Sequence, residues 1–179
     1  PYAGVYVGSL SGGGSFALLV RDDRTGAFVG FSSSVKKALV ASGVSVDSAG
    51  RLTGAIGSGF AVSSAGESEP SRVAFEGEFA MTGTFAADGS LTGSVERLGL
   101  SFTASGPARS AGLERFAGYY PAGSAGGAAR AYVIVAPSGE SFAAVLTGSV
   151  EDGSRLTTDS AGRLSGSSGF SGEIRAGGV

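Results

Sequence analysis

Apolar and polar residues alternate with a period of two along most of this chain, which is the spacing of a β-strand that buries one face. The longest run extends from Val73 to Phe85, and it sets Phe79 and Met81 on one face and Glu76 and Glu78 on the other. The pattern therefore predicts a strand over Val73–Phe85, with odd-numbered positions in a core and even-numbered positions in solvent.

Shorter runs with the same alternation follow one another about every ten residues and are separated by stretches rich in Gly, Asp and Ser. Short strands joined by tight turns are typical of antiparallel meanders, so the chain is predicted to be all-β. No stretch has the apolar spacing of an amphipathic helix. The other strands predicted in the first part are Tyr2–Gly8, Phe16–Val20, Ala27–Phe31, Ala38–Val46, Leu52–Val62, Leu91–Val95 and Leu98–Phe102, with a turn or bulge at Glu96-Arg97.

One eight-residue segment occurs twice. It reads DSAGRLTG at Asp47–Gly54 and DSAGRLSG at Asp159–Gly166, an offset of 112 (159 − 47). Upstream, Tyr2–Tyr6 reads YAGVY and Phe116–Tyr120 reads FAGYY, an offset of 114 (116 − 2). Two matches in the same order and at nearly the same spacing indicate a duplicated unit.

The duplication divides the chain into a first β unit, residues 1–110, and a second, partial unit, residues 111–179. Nothing in the second unit corresponds to the Val73–Phe85 strand or to the strands after it. An unfinished sheet exposes unpaired backbone groups and an apolar face. We therefore expect one of three outcomes. The second unit packs onto the first as one sandwich or barrel, a neighbouring subunit supplies the missing strands, or the sequence belongs to a longer repeat array. Pro1 is not an initiator residue, so we expect a processed product or part of a longer chain.

The composition narrows the possible chemistry. The 179 residues include no Cys, His, Trp, Asn or Gln, and the net charge is −2. Disulfides, thiolate or imidazole metal ligands and N-glycosylation are thereby excluded. The balanced charge predicts no nucleic-acid partner, and the apolar runs are too short for a membrane-spanning helix. We expect no cofactor and no metal.

Carboxylates are the strongest candidates for chemistry. Glu76 and Glu78 would lie roughly 6.5–7 Å apart on one strand, a separation used by glycosidases, but a pair on one polar face favours simple solvation. Other carboxylates could offer oxygens to calcium, yet no calcium-loop spacing occurs and turn formation is favoured. These are Asp22, Asp23, Asp47, Glu151, Asp152 and Asp159.

The remaining motifs are weaker. Gly54–Gly59 superficially resembles a phosphate loop but lacks the following Lys and the strand–helix context. The serines have no histidine base, and neither Lys36 nor Lys37 stands in an S-x-x-K pattern. The tyrosines could stack on sugars, but strand positions that also hold Phe favour core packing. They are Tyr2, Tyr6, Tyr119, Tyr120 and Tyr132.

Tyr2–Tyr6, a glycine turn, an apolar strand and the D-x-x-G-R-L-x-G segment together resemble the β-rich repeat units of large secreted or surface proteins of environmental bacteria. The resemblance implies no activity. We therefore expect a non-catalytic structural module of a secreted or cell-surface bacterial protein, a subunit of a self-assembling extracellular fibre whose partners are copies of itself. The alternative is a carbohydrate- or surface-ligand-binding β module, and the sequence identifies no ligand. The predicted fold is an antiparallel sandwich or barrel built from a duplicated unit with an incomplete second copy.

Overall fold

A computed structural model describes residues 2–57, 78–109, 111–123, 129–147, 150–166 and 169–175. Within these ranges the protein is all-β and contains one short 3-10 turn, Glu114–Phe116. The strands form two separate antiparallel sheets, one closed and one open. This confirms the predicted all-β architecture with a duplicated unit and an incomplete second copy.

The first sheet is a closed eight-stranded barrel in which each strand pairs with the next and the last pairs with the first. Ser9 and Leu10 of the first strand meet Thr103 and Phe102 of the last. Closure leaves no sheet edge in this unit. The strands, numbered β1 to β8, are Gly4–Leu10, Gly14–Val20, Thr25–Ser32, Lys37–Val46, Arg51–Gly57, Glu78–Phe85, Leu91–Val95 and Leu100–Ala104.

The apolar residues that alternate along the strands point inward and fill the barrel interior. Phe16 and Phe28 stack at 5.0 Å between ring centroids, and Phe102 meets the Phe16 ring edge-on at 5.4 Å. Phe102 has room because Gly83 and Gly93 lie beside its ring, where any added side chain would crowd it. The interior also holds Tyr6, Leu10, Leu18, Val20, Leu39, Ala41, Val44, Val46, Leu52, Ile56, Met81, Phe85, Leu91, Val95, Leu100 and Ala104.

The predicted Val73–Phe85 strand is confirmed over its described part, because β6 begins at Glu78 and residues 73–77 lie outside the described ranges. Met81 and Phe85 are buried, whereas Thr82 and Thr84 are exposed, as the alternation requires. A turn spans residues 96–99, so the predicted irregularity at Glu96-Arg97 is a turn, with Arg97 at φ +64°. The register shifts in the β3–β4 and β4–β5 ladders each place one extra residue in β4, between Val40 and Ser45.

The second sheet, which we call the open sheet, has six strands in the order β14-β13-β12-β11-β10-β9. Among the described residues, β9 pairs only with β10, and β14 pairs only with β13. The sheet therefore has two edges where the barrel has none. Its strands, β9 to β14, are Gly118–Gly123, Ala129–Val135, Glu140–Thr147, Val150–Thr158, Arg163–Gly166 and Ser171–Glu173.

The expectation that nothing in the second unit corresponds to the Val73–Phe85 strand was wrong in one respect. The three-residue strand β14 pairs with β13 through Leu164 and Gly172, in the place where Leu52 and Gly83 pair β5 with β6. Only three residues alternate there, which is too short a run to be recognised as a strand from its pattern. The second unit therefore reaches one strand further than predicted.

The open sheet packs its convex face on the outside of the barrel, and the two surfaces are equivalent. Ala17 and Val29 of the barrel match Tyr132 and Ala144 of the open sheet at one offset, 115 (132 − 17 and 144 − 29), and all four lie in the shared core. The contacts are reciprocal, since β2 meets β11 as β10 meets β3. The two units thus associate about a pseudo-twofold axis that passes between β3 and β11.

Two polar clamps border this shared core. The Glu151 carboxylate accepts the Ala38 N–H at 2.6 Å and the Lys37 ammonium at 3.3 Å. The Arg155 guanidinium donates to the Ser15 hydroxyl at 3.0 Å and to the Gly8 carbonyl at 3.1 Å. Both clamps reach from β12 to the barrel, so they orient the open sheet on it.

We predict that Phe28→Ala lowers the free energy of unfolding by about 3–5 kcal/mol, because the ring is fully buried between two others. Urea denaturation followed by circular dichroism measures the change. The matched control is Thr82→Ala on the exposed face of β6, with an expected cost under about 0.5 kcal/mol. Equal costs for the two variants would reject the assigned faces.

We predict that Glu151→Ala lowers the free energy of unfolding by about 1–3 kcal/mol, because the Ala38 N–H and the Lys37 ammonium lose their acceptor at a nearly buried site. The control is Glu140→Ala, an exposed carboxylate on the neighbouring strand β11, with a cost under about 0.5 kcal/mol. If both variants unfold at the same urea concentration, Glu151 does not hold the two units together.

Candidate interaction site

The two units form the same hydrogen bonds at equivalent positions. The open sheet can therefore be compared with the barrel residue by residue. The Asp47 carboxylate accepts the N–H groups of Ala49 and Arg51 at 2.8 and 2.9 Å. The Asp159 carboxylate accepts the N–H groups of the equivalent residues Ala161 and Arg163 at 2.8 and 3.0 Å. The repeated segment is therefore a turn in both units, with the left-handed position taken by glycine each time.

The match extends to the start of each unit. The Tyr6 hydroxyl donates to the Tyr2 carbonyl at 2.9 Å, and the Tyr120 hydroxyl donates to the Phe116 carbonyl at 2.9 Å. Tyr120 therefore occupies the position of Tyr6 at the first strand of its unit.

It extends also to the sixth strand. The Phe85 N–H donates to the Gly50 carbonyl at 2.9 Å, and the Ile174 N–H donates to the Gly162 carbonyl at 2.8 Å. Ile174 thus occupies the position of Phe85. The open sheet follows the barrel from its first strand through its sixth.

Two strands separate the open sheet from closure. In the barrel, β7 pairs with β6 and β8 pairs with β1, so this hairpin joins the sixth strand to the first. In the open sheet, the sixth strand is β14 and the first is β9, and no described strand lies between them. The missing element is equivalent to the β7–β8 hairpin.

The concave face of the open sheet is consequently less buried than the barrel interior, although Ala143, Leu156 and Leu164 are buried within it. Tyr6 and Leu18 are 1% and 0% exposed, whereas their counterparts Tyr120 and Val133 are only half-buried. An apolar cavity of about 850 Å³, which we call the groove, lies between β9 and β14. It is lined chiefly by Tyr120, Ala131, Val133, Ala143, Val145, Leu156, Leu164, Phe170 and Ile174.

Two residues of the groove are much smaller than their counterparts in the barrel, while Val145 takes the place of the smaller Gly30. Register equivalence sets Ala131 at the position of Phe16 and Ala143 at that of Phe28. At one end of the groove, the exposed Asp152 takes the position of the buried Leu39, because it pairs with Val145 as Leu39 pairs with Gly30. The groove therefore has more room than the barrel interior at these two positions, and an exposed carboxylate lies near one end of it, beside Val145.

The carboxylates singled out in the sequence do not converge on a common site. Glu76 and the side chain of Glu78 lie outside the described residues. The Asp23 carboxylate accepts both the N–H and the hydroxyl of Thr25, and these bonds lower its pKa. Bonds from the Arg163 and Ala161 N–H groups likewise lower the pKa of Asp159. Within the described part of the chain, no three acidic side chains are grouped so that they could hold a metal ion.

The glycine segment and the lysines also have structural surroundings. Gly54–Gly57 completes β5, and the rest of that segment lies outside the described residues. Lys36 sits in the β3–β4 turn at φ +51°, and Lys37 pairs with Glu151. The geometry therefore gives one lysine a position in a turn and the other a position at the interface of the two units.

Four of the five tyrosines, all but Tyr120, contact other aromatic rings. Tyr2 and Tyr6 lie 5.2 and 5.0 Å from the Phe85 ring, and Tyr119 stacks on Tyr132 at 6.4 Å. Tyr119 and Tyr132 border a cleft of about 340 Å³ beside β4 and β5. Burial, with a smaller contribution from Tyr132, raises the pKa of Tyr119 to about 12.

Sequence reasoning predicted the missing strands but not the groove. Its residues lie at alternate positions of β10 and β11, and so do those of the opposite, packed face. Both faces are apolar, so alternation cannot distinguish the packed face from the open one. A usable signal was the substitution of Phe16 and Phe28 by Ala131 and Ala143, which becomes visible once the register is known.

We predict that the free energy of unfolding falls as the pH rises from about 10 to about 12, the range between the unfolded and folded pKa values of Tyr119. The folded state retains the proton there and the unfolded state loses it, so the stabilisation is complete below pH 10 and declines above it. In Tyr119→Phe the decline should be shallower. Urea denaturation at several pH values, with absorbance at 295 nm to follow ionisation, measures both effects. Equal slopes in the two proteins would contradict the assignment.

Comparison of the chain with protein-family models, curated proteins and solved structures gave no match. No helix in the described ranges has the length and apolarity needed to cross a membrane. A function must therefore be inferred from the geometry of the chain itself, in which the groove and the edges β9 and β14 are the features that depart from a completed fold.

Proposed function

We propose that this chain is a non-catalytic structural module of a secreted or cell-surface bacterial protein, which assembles with neighbouring subunits, copies of itself included, by adding strands to the open sheet. The observation that carries the proposal is the open sheet, which matches the barrel through its sixth strand and leaves both edges without a described neighbour. The location outside the cell is supported by the resemblance of the repeats to those of secreted and surface proteins.

Two features of the open sheet, its edge strands and its partly exposed apolar face, support an assembly role. Edge strands present backbone N–H and C=O groups that pair readily with another chain. The half-buried Tyr120, Val133, Val145 and Ile174 add apolar surface, and full burial of one such side chain stabilises by about 1.5–3 kcal/mol. A partner that covers the groove would satisfy both the edges and the apolar face.

The positions of the carboxylates support a non-catalytic role. Asp23, Asp47 and Asp159 accept hydrogen bonds inside their own turns. Glu151 accepts hydrogen bonds across the interface of the two units. Turn formation and interface contact account for these groups without a reaction.

Carbohydrate binding is the second candidate, and four of the five tyrosines give it less support, while Tyr120 lies half-buried in the groove. A sugar-binding platform needs aromatic faces that are open to the ligand. Tyr132 is only 9% exposed, and the Tyr119 ring stacks against it. Tyr2 and Tyr6 likewise pack on Phe85.

We predict that the purified chain has a mass above its monomer value of 17.4 kDa, and that the mass rises with concentration. Val133→Glu places a charge in the groove and should keep the chain monomeric, and Val145→Glu should do the same from the next strand. Size-exclusion chromatography with light scattering measures the mass, and negative-stain microscopy tests for fibres. The control is Thr92→Glu on the exposed face of β7, which should assemble like the unmodified chain. A monomeric unmodified chain at all concentrations would contradict self-assembly.

A further inference from the structure

We propose that the groove is a docking site for a two-stranded β-hairpin of a partner subunit, with an apolar inward face, at least one large aromatic side chain and a basic residue in its turn. The proposal rests on the proposed function in taking the open sheet as the place of assembly. It goes further by specifying the partner's shape and chemistry.

The barrel specifies how many strands would close the open sheet. The edges β14 and β9 correspond to β6 and β1, which in the barrel are separated by two strands. In the barrel that gap spans three strand spacings of about 4.8 Å, or about 14 Å. A single added strand would leave an edge unpaired. Two strands joined as a hairpin pair with both edges at once, so a hairpin is the element that closes the sheet.

The contacts that would hold the hairpin are already established in the barrel. Residues Met81–Phe85 pair in antiparallel register with Leu91–Val95, and Ser9 and Leu10 pair with Thr103 and Phe102. In the open sheet, Gly172 and Glu173 stand in the register of Gly83 and Thr84. A docked hairpin would pair with β14 and β9 in the second unit as β7 and β8 pair with β6 and β1 in the barrel.

The groove also specifies the size of the inward side chains. In the barrel, the hairpin contributes Leu91, Val95, Leu100 and Phe102, each at most 4% exposed. Phe102 there meets the rings of Phe16 and Phe28, but Ala131 and Ala143 replace those rings in the groove. Val145, in the place of Gly30, fills only part of the space of the two rings. The hairpin that fits best therefore carries a larger ring than phenylalanine at the central position, because empty volume in a core is costly.

The Asp152 carboxylate specifies the charge that suits the turn of the docked hairpin. The β1–β2, β3–β4 and β7–β8 turns lie at the same end of the barrel, because the strands are antiparallel neighbours. Asp152 takes the place of Leu39 at the corresponding end of the groove and is exposed. The β7–β8 turn carries Arg97. A basic residue in the turn of the docked hairpin would complement the Asp152 carboxylate.

The probe is a fluorescently labelled synthetic peptide of residues 90–105, which contains the β7–β8 hairpin, added to the full chain and followed by fluorescence anisotropy. We expect saturable binding of one peptide per chain. The peptide with Phe102→Trp should bind several-fold more tightly. The peptide with Phe102→Glu, or the chain with Val133→Glu, should bind about tenfold or more weakly. Thr92→Glu in the chain should leave the affinity unchanged.

An extended chain tests closure within one molecule. Because Ile174 matches Phe85 at an offset of 89 (174 − 85), a copy of Leu91–Ser105 joined directly to Val179 keeps the spacing of the barrel (179 − 90). We expect this extended chain to melt at a higher temperature, to lose binding of the free peptide and to stop self-associating. The same extension with Phe102→Glu in the added copy is the control and should behave like the unmodified chain.

The outcomes separate this inference from the proposed function. Self-association without peptide binding, and without any effect of the extension, would overturn the hairpin site while leaving assembly in place. Peptide binding by a chain that stays monomeric would support the hairpin site and contradict assembly of copies. Binding of an apolar dye to the groove that the peptide does not displace would also overturn the hairpin site.

Discussion

The structure depends on how the backbone groups at the edges of a sheet are satisfied. An antiparallel sheet always has two edge strands unless it closes, and unpaired N–H and C=O groups must find water or another strand. The first unit solves this by pairing β1 with β8 through Ser9 and Leu10. The second unit has the same order of strands through the sixth, and its turns at 136–139 and 159–162 match those at 21–24 and 47–50 of the barrel, but its edges do not meet. Among the described residues, the closed unit therefore differs from the open one by a single hairpin.

An open sheet of six strands would be a poor domain alone, because one of its apolar faces would have no partner. Here the convex face is covered by the barrel, through positions that are equivalent in the two units, such as Ala17 and Tyr132. Glu151 and Arg155 add polar contacts at the border of this core. The barrel thus covers the convex face of the open sheet, and the concave face has no such cover among the described residues.

Much of the fold could be predicted from the sequence, because turn chemistry and alternation are local signals. The repeated DSAGRL segment identified both units, and the parity of Met81 and Phe85 assigned the core face of β6. The candidate site could not be located in the same way. Both faces of β10 and β11 are apolar, and only the register reveals which one lacks a cover. The strand β14 was missed because three residues carry too little periodicity to be distinguished from a turn.

The curvature of the open sheet does not depend on its interior alone. In the barrel, large rings such as Phe16 and Phe28 fill the space enclosed by the strands, whereas the smaller Ala131 and Ala143 fill less of that space in the second unit. The sheet nevertheless keeps the bond from the sixth strand to the turn that the barrel has, at Ile174. Its bend is therefore held by the shared turns, by packing on the barrel and by a small core of its own that includes Phe116, Leu156 and Leu164. A surface whose shape is fixed before any partner arrives loses little conformational entropy on binding. Ala131 and Ala143 then determine which side chains fit the groove, while the turns and the packed convex face hold the groove in its shape.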